Sequence, residues 1–238
     1  MKTYAFWKIP GFIIQIIPGI TITIEYVVFS FIFGALLGGL LALMKLSGKK
    51  FPRAIAYGYT TVMRCTPAIV MLFLVYYGVP QLVRNLTGYK MDTTEKIGYV
   101  IVTLTLFNAA NLSEVFRSSY LSLDKTQVEA AKSVGMTGIQ SFVHVLFPQM
   151  FKSMLPNLSN TVLMTLKNGS LAFTIGLMDV LGMGQKVIGK NVGAWVVETD
   201  IAMIAIYWPI ALIITKLTGV LERNYSFEHG KKAGGRRK

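Results

Sequence analysis

Five blocks of apolar residues, near 16–44, 66–83, 97–116, 154–181 and 200–221, dominate the sequence and limit what it can fold into. An α-helix needs roughly 20 mostly apolar residues to cross about 30 Å of hydrocarbon, and each block offers about that length. Of all residues 53% are hydrophobic and only 15% charged, which leaves too little polar surface to coat a soluble globule. The expected fold is therefore an all-α, polytopic membrane protein with about five transmembrane helices and its termini on opposite sides.

A net charge of +13 would point to nucleic acid in a soluble protein, but here the basic residues follow the apolar blocks. With the N-terminus outside, the inner segments carry fourteen Lys and Arg, from Lys45 to Arg53, Arg117 to Lys152 and Arg223 to Lys238, against seven outside. Positive charge collects on the cytoplasmic side, so the split predicts N-outside and C-inside, with no nucleic-acid partner. The chain then divides into a transmembrane domain over 1–228 and a flexible basic tail over 229–238 that meets anionic lipid. A lone cysteine, Cys65, provides neither an intrachain disulfide nor metal-ligand spacing. The N-terminal apolar stretch runs on without a small-residue cleavage site, so it is expected to stay as the first helix.

Within the first block, Gly34-x-x-x-Gly38 is a helix-packing spacing. Pro67, after Arg64-Cys65-Thr66, predicts a kink or a helix start. The longest stretch that does not look membrane-spanning, in the loop 121–150, reads as two short helices. Asp124 would cap the first and Gly135 would end it in a left-handed conformation. The second would begin at Thr137 or Gly138 and stop before Pro148, because the residue ahead of proline disfavours helix.

Asn157, Thr161, Thr165 and Asn168 recur at helical spacing in the fourth block, and Asn108, Asn111, Ser113 and Glu114 add polarity to the third. Polar groups at membrane depth face protein or a water-filled cavity, so both faces are expected to look inward, as a solute path or as interhelical hydrogen-bonding glue. Arg64, Glu114 and Lys167 lie in or beside apolar stretches, Lys167 in the cytoplasmic half of its helix if that helix starts near Ser153. They read as gate elements or as side chains snorkelling to the interface. The absence of acidic groups from the 157–168 series favours a zwitterionic or uncharged polar solute over arginine or lysine.

Glu129-Ala130-Ala131, Gly135, Val145 and Phe147-Pro148, at their spacing, closely resemble the "EAA" loop of permease subunits of bacterial ABC importers. Arg64-Cys65-Thr66-Pro67 resembles the Arg-Gly-Thr-Pro sequence of the polar amino-acid subfamily, Gln127 matches its Gln, and Lys167-Asn168-Gly169-Ser170-Leu171 resembles its Lys-Asp-Thr-Ser-Leu. The chain departs from the pattern at Cys65, Phe147, Asn168-Gly169, and at Asn111 and Ser113, where Tyr and Ala are common. The resemblance implies a type I ABC importer permease fold in the bacterial cytoplasmic membrane. It makes 121–150 the loop that couples to an ATPase subunit through Gln127, Glu129, Ala130, Ala131, Gly135 and Pro148. It also implies a second permease subunit, an extracellular solute-binding protein and an amino-acid substrate such as cystine or glutamine, with another small polar solute as the alternative.

The sequence offers little to an enzyme. Its two histidines, His144 and His229, fall in the loop and the tail, away from any paired nucleophile. No Gly-rich phosphate loop ending in Lys-Ser/Thr is present, so ATP and Mg are expected on a separate partner and no cofactor on this chain. Five helices enclose a path poorly, which implies that two permease halves meet.

Overall fold

Residues 4–233 are described by a computed structural model, with backbone alone for Lys125, Val128 and 224–233; the basic tail's side chains and 234–238 lie outside the described residues. All regular structure among the described residues is helical. A short apolar helix, α1 (Phe6–Ile16), precedes α2 (Gly19–Leu46), α3 (Lys50–Cys65), α4 (Ala68–Thr87) and α5 (Lys96–Leu121). Then come α6 (Lys125–Ser133), α7 (Gly138–Ile175), α8 (Val180–Lys190) and α9 (Val196–Ala233).

Helices α2, α4, α5 and α9 are each long and apolar enough to cross a membrane, and α7 with α8 is so as a pair bent by 42°. Each of the five apolar blocks thus falls mainly within one of these helices or the bent pair. Block one is divided differently from the expectation: a turn at Ile17-Pro18 separates α1 from α2, because Pro18 fits the start of a helix better than its interior. Residues 50–65, between the first two apolar blocks, form the amphipathic helix α3. Thr66 and Pro67 are extended, so Pro67 does mark a break, with α4 starting at Ala68.

The loop's second helix does not stop before Pro148. It widens into a π-turn over Phe142–Leu146 and continues as the body of α7, with Pro148 at the second residue of the resumed α-helix. A widened turn breaks the regular hydrogen-bond ladder, so a residue lacking an N–H costs little just after it. The same device recurs in α4, where the π-turn Leu74–Gly78 precedes Pro80.

The bundle is organised around α2 and α5. A Cβ on Gly34 would lie 2.4 Å from the Asn108 Cβ, and one on Gly38 would lie 3.0 Å from the Ala109 carbonyl oxygen. Both glycines of the Gly-x-x-x-Gly spacing therefore face α5 at backbone-to-backbone range, as small residues allow. Tyr26, Leu72, Val100, Leu104 and Leu166 form the principal core where α2, α4, α5 and α7 meet. A second core, of Phe12, Ile16, Val180, Val187 and Met203, docks α1 and α8 on α9.

The bend between α7 and α8 is held by Asp179. Its carboxylate caps α8 by accepting from the Gly182 N–H at 2.8 Å, and Tyr26 and Tyr207 donate their hydroxyls to it at 3.4 and 3.5 Å. Gly19 packs on the Asp179 backbone so closely that a Cβ would stand 2.6 Å from its carbonyl.

The α2–α5 contact yields a paired prediction. Gly34→Ala should destabilise the detergent-solubilised chain by about 1–3 kcal/mol, the usual cost of overpacking. Gly39→Ala, whose new Cβ would meet only Phe116 at 4.0 Å, should be close to neutral when thermal unfolding is followed by size-exclusion fluorescence.

Candidate functional site

The loop element is built as its residues predict. Asp124 caps α6 by accepting from the Thr126 N–H at 3.0 Å, and that bond holds its carboxyl below the usual carboxylate range. The cap is therefore fully charged above that range and is lost as pH falls through the lowered value. Gly135 adopts φ +81°, and its N–H donates to the Lys132 carbonyl at 3.0 Å, closing the helix. Thr137 and Gln140 then form a reciprocal capping box at the start of α7. Two well-made helix ends flank a short turn.

Among the predicted coupling residues, Ala131 is buried against the chain, while Glu129 and Ala130 are exposed. Gln127 accepts a hydrogen bond from Gln149, which lashes α6 to α7 one residue beyond the exposed Pro148. Glu129 and Lys132 line a groove of about 300 Å³ with Tyr120, Leu123 and Leu146. Beside it Val134 is 73% exposed and Ile139 79%, with Phe142 and Val143 also exposed. A capped polar element with this much uncovered apolar surface is built to be covered.

An ion cluster that the sequence did not signal lies at the same end of the bundle. Lys45, 3% exposed on α2, donates to the Glu114 carboxylate and to the Ser113 hydroxyl, both at 2.7 Å. Arg117 reaches the other Glu114 oxygen at 2.9 Å. Glu114 is thus paired with Lys45 and Arg117 and is not a partner of Arg64 or Lys167. Ser113, one of the departures from the family pattern, provides an acceptor for the buried ammonium. Only the pairing of α2 with α5 brings Lys45 to Glu114, so no local spacing could announce it.

The series on α7 straddles two environments. Thr161 and Thr165 are buried, and the Thr165 hydroxyl donates to the Asn108 carbonyl oxygen at 2.8 Å. The Asn108 amide in turn lies 3.5 Å from the Ser30 hydroxyl. Asn157 is exposed, while Asn168 and Asn111 are half-buried. At about 100° per residue, Thr161 and Thr165 are rotated by roughly 40° and 80° from Asn157, enough to carry them across the edge of the packed face. The open face of α7 carries Asn157, Asn160, Met164 and Lys167, so Asn160 belongs with the exposed polar groups although the four-residue spacing passes over it.

Lys167 lies eight residues from the end of α7 at Ile175, in the half remote from α6. The helix starts at Gly138, fifteen residues before Ser153, and its first turns belong to the loop element. Lys167 shares a groove of about 600 Å³ between α7 and α9 with Ser170, Tyr207, Trp208 and Asp200. Arg64 is exposed in the last turn of α3, beside the extended Thr66-Pro67 break.

The family described as binding-protein-dependent transport system inner membrane component matches residues 34–227. The chain is 33% identical to the L-cystine transport system permease protein TcyL of Bacillus subtilis (strain 168), over 93% of this chain and 92% of the relative. It is also 33% identical to the arginine transport system permease protein ArtQ of the same organism, over 87% and 91%. The crystal structure of an amino acid ABC transporter with histidines superposes with a TM-score of 0.79 at 28% identity, covering 93% of this chain and 99% of the other.

Removing one partner of a buried ion pair strands the other charge, at a cost of about 3–5 kcal/mol. Glu114→Gln should therefore destabilise the detergent-solubilised chain strongly in thermal unfolding. Adding Lys45→Met to Glu114→Gln should recover part of that loss, since the stranded charge goes with it.

Proposed function

The chain belongs to the family of binding-protein-dependent transport system inner membrane components, and from that premise we propose that it forms half of the translocation path of an importer for a polar, zwitterionic amino acid. The family is the membrane permease component of ABC importers and is not catalytic; hydrolysis belongs to a separate subunit. ATP and Mg act there, and this chain provides the path and the lever.

The observation that carries the proposal is the capped α6–Gly135–α7 element, with Glu129 and Ala130 exposed and Val134 and Ile139 uncovered beside them. We assign this surface to an ATPase subunit, with Glu129 free to meet a basic partner and the apolar residues buried by docking. Gln127 and Ala131 hold the element to the bundle, and Gly135 and Pro148 shape its entry and exit. By the excess of basic residues at this end, the element faces the cytoplasm of a bacterial cell and the N-terminus faces outside. An extracellular binding protein delivers the solute to the opposite end.

The open face of α7, with Asn157, Asn160 and Lys167, cannot rest against hydrocarbon. It faces the second permease subunit, a copy of this chain or a relative, and the aqueous path between the two. Asn108, Thr161 and Thr165 support this face from behind, with Asn111 and Asn168 at its edge. Arg64 and Pro67, at the break between α3 and α4, form a gate element. Two permease halves exchange inward- and outward-facing states, and each ligand shifts the balance only by binding the two states unequally. Cystine or glutamine fits a path with amides and hydroxyls; the similarity to an arginine system permease makes arginine the necessary control.

The docking assignment predicts that Gly135→Asp or Glu129→Lys leaves the chain inserted but releases the ATPase in detergent co-purification; retained ATPase would overturn it. Uptake of labelled cystine, glutamine, histidine and arginine in cells lacking the chain, and in cells with it restored, should show loss and recovery for a neutral polar amino acid. Recovery of arginine alone would replace the substrate proposed here.

A further inference from the structure

At the loop end of the bundle, α2, α5 and α7 leave a recess of about 620 Å³ between them, with Gly39, Leu43, Phe116, Phe147 and Met154 in its walls. Its lining is apolar apart from Ser47 and Tyr120. Gly39 opens it: a Cβ there would meet only Phe116, at 4.0 Å, so α2 presents bare backbone to the recess. From Gly39 to Ser47 the recess follows α2 for roughly 12 Å at 1.5 Å per residue, which fits within half of the roughly 30 Å hydrocarbon core.

Gly39 and Leu43 belong to the first apolar block, and Leu43 is 67% exposed, so the recess opens at membrane depth. That depth separates it from the Glu129–Ile139 surface assigned to the ATPase. On α7, Met154 lies six residues, and so roughly 120° around the helix, from Asn160 on the face assigned to the second permease subunit. Neither protein partner is therefore aimed at it, and the bilayer's own chains are. At the mouth, Ser47 ends α2 and leads through Gly48 to Lys49 and Lys50, both exposed and without an ion pair among the described residues. Tyr120 adds a hydroxyl on the α5 side. Basic groups beside an apolar recess at the membrane boundary complement a phosphate head above an acyl tail. We infer that the recess binds one acyl chain of an anionic phospholipid from the leaflet on the loop side, with Lys49 and Lys50 drawing its phosphate. The chain lies against Phe142 and Phe147, which bracket the π-turn between the loop element and the body of α7. A lipid thus forms one wall of that joint. The inference goes beyond the importer reading and does not depend on the solute carried.

The test uses the assembled permease–ATPase complex, stripped of lipid in detergent and titrated with dioleoylphosphatidylglycerol or dioleoylphosphatidylcholine. The two lipids share their chains and differ in charge, and bound lipid is counted by native mass spectrometry. The unmodified complex should hold at least fivefold more phosphatidylglycerol than phosphatidylcholine at equal concentration. Gly39→Leu, which plugs the recess, should lower bound phosphatidylglycerol fivefold or more. Gly39→Ala, too small to fill it, should keep most of it, which separates a plugged recess from lost folding. Leu43→Trp narrows the same space from its exposed wall, away from the packed seam, and should act as Gly39→Leu does. Lys49→Gln combined with Lys50→Gln should bring phosphatidylglycerol down to the phosphatidylcholine level and leave the latter unchanged. No bound lipid, or binding unchanged by both Gly39→Leu and Leu43→Trp, would mean that a protein subunit covers the recess or that nothing does, and would overturn the site. Equal retention of the two lipids by the unmodified complex would overturn the anionic head group.

Discussion

The close approach of α2 to α5 is the contact on which the rest of the bundle depends. Gly34 and Gly38 remove the side chains that would hold the two backbones apart, and the gain is van der Waals contact along a shared seam. Lipid tails are as apolar as Leu, so burial alone gives little reason for membrane helices to associate. Shape at the seam and polar contacts beside it take over that role. Asn108, beside the Gly34 contact, links outward to Ser30 and Thr165 and so brings α7 into the same network. At one end of the seam Lys45, Glu114 and Arg117 fix the register of α2 on α5. At the other end of α2, Tyr26 reaches Asp179 and fixes the bend into α8.

Much of this was legible in the sequence because the features are local or periodic. The spans follow from apolar length, the ends of α6 from Asp124 and Gly135, and the break after α3 from Pro67. What stayed hidden depends on how distant segments pair. Lys45 reads as an interfacial lysine until Glu114, 69 positions away, is brought beside it. The α7 series shows a subtler limit. Spacing places Asn157, Thr161, Thr165 and Asn168 within one arc, but the edge of the packed surface runs through that arc, and only the packing says where.

Pro148 shows why a proline need not end a helix. The residue ahead of a proline disfavours the helical conformation because the ring crowds it, and the proline itself has no N–H to give. The preceding π-turn shifts the hydrogen-bond ladder, with the Phe147 N–H donating to the Phe142 carbonyl, so that the helix resumes with Pro148 in its first turn. Both π-turns among the described residues are followed two residues later by proline, at Pro80 and Pro148, so here proline marks a change of helical pitch rather than an end.

That continuity has a mechanical consequence. Because α7 stays helical from Gly138 to Ile175, through the π-turn and past Pro156, the turn at Gly135 sits near one end of a continuous helical element roughly 55 Å in contour length at 1.5 Å per residue. A tilt of roughly 5° about its loop end would carry the far end by about 5 Å, a displacement comparable to one helical turn. The bend at Asp179, lying just past that far end, would travel with it and take α8 along. Had the loop helix ended at Pro148, the same tilt would have been absorbed by the joint there.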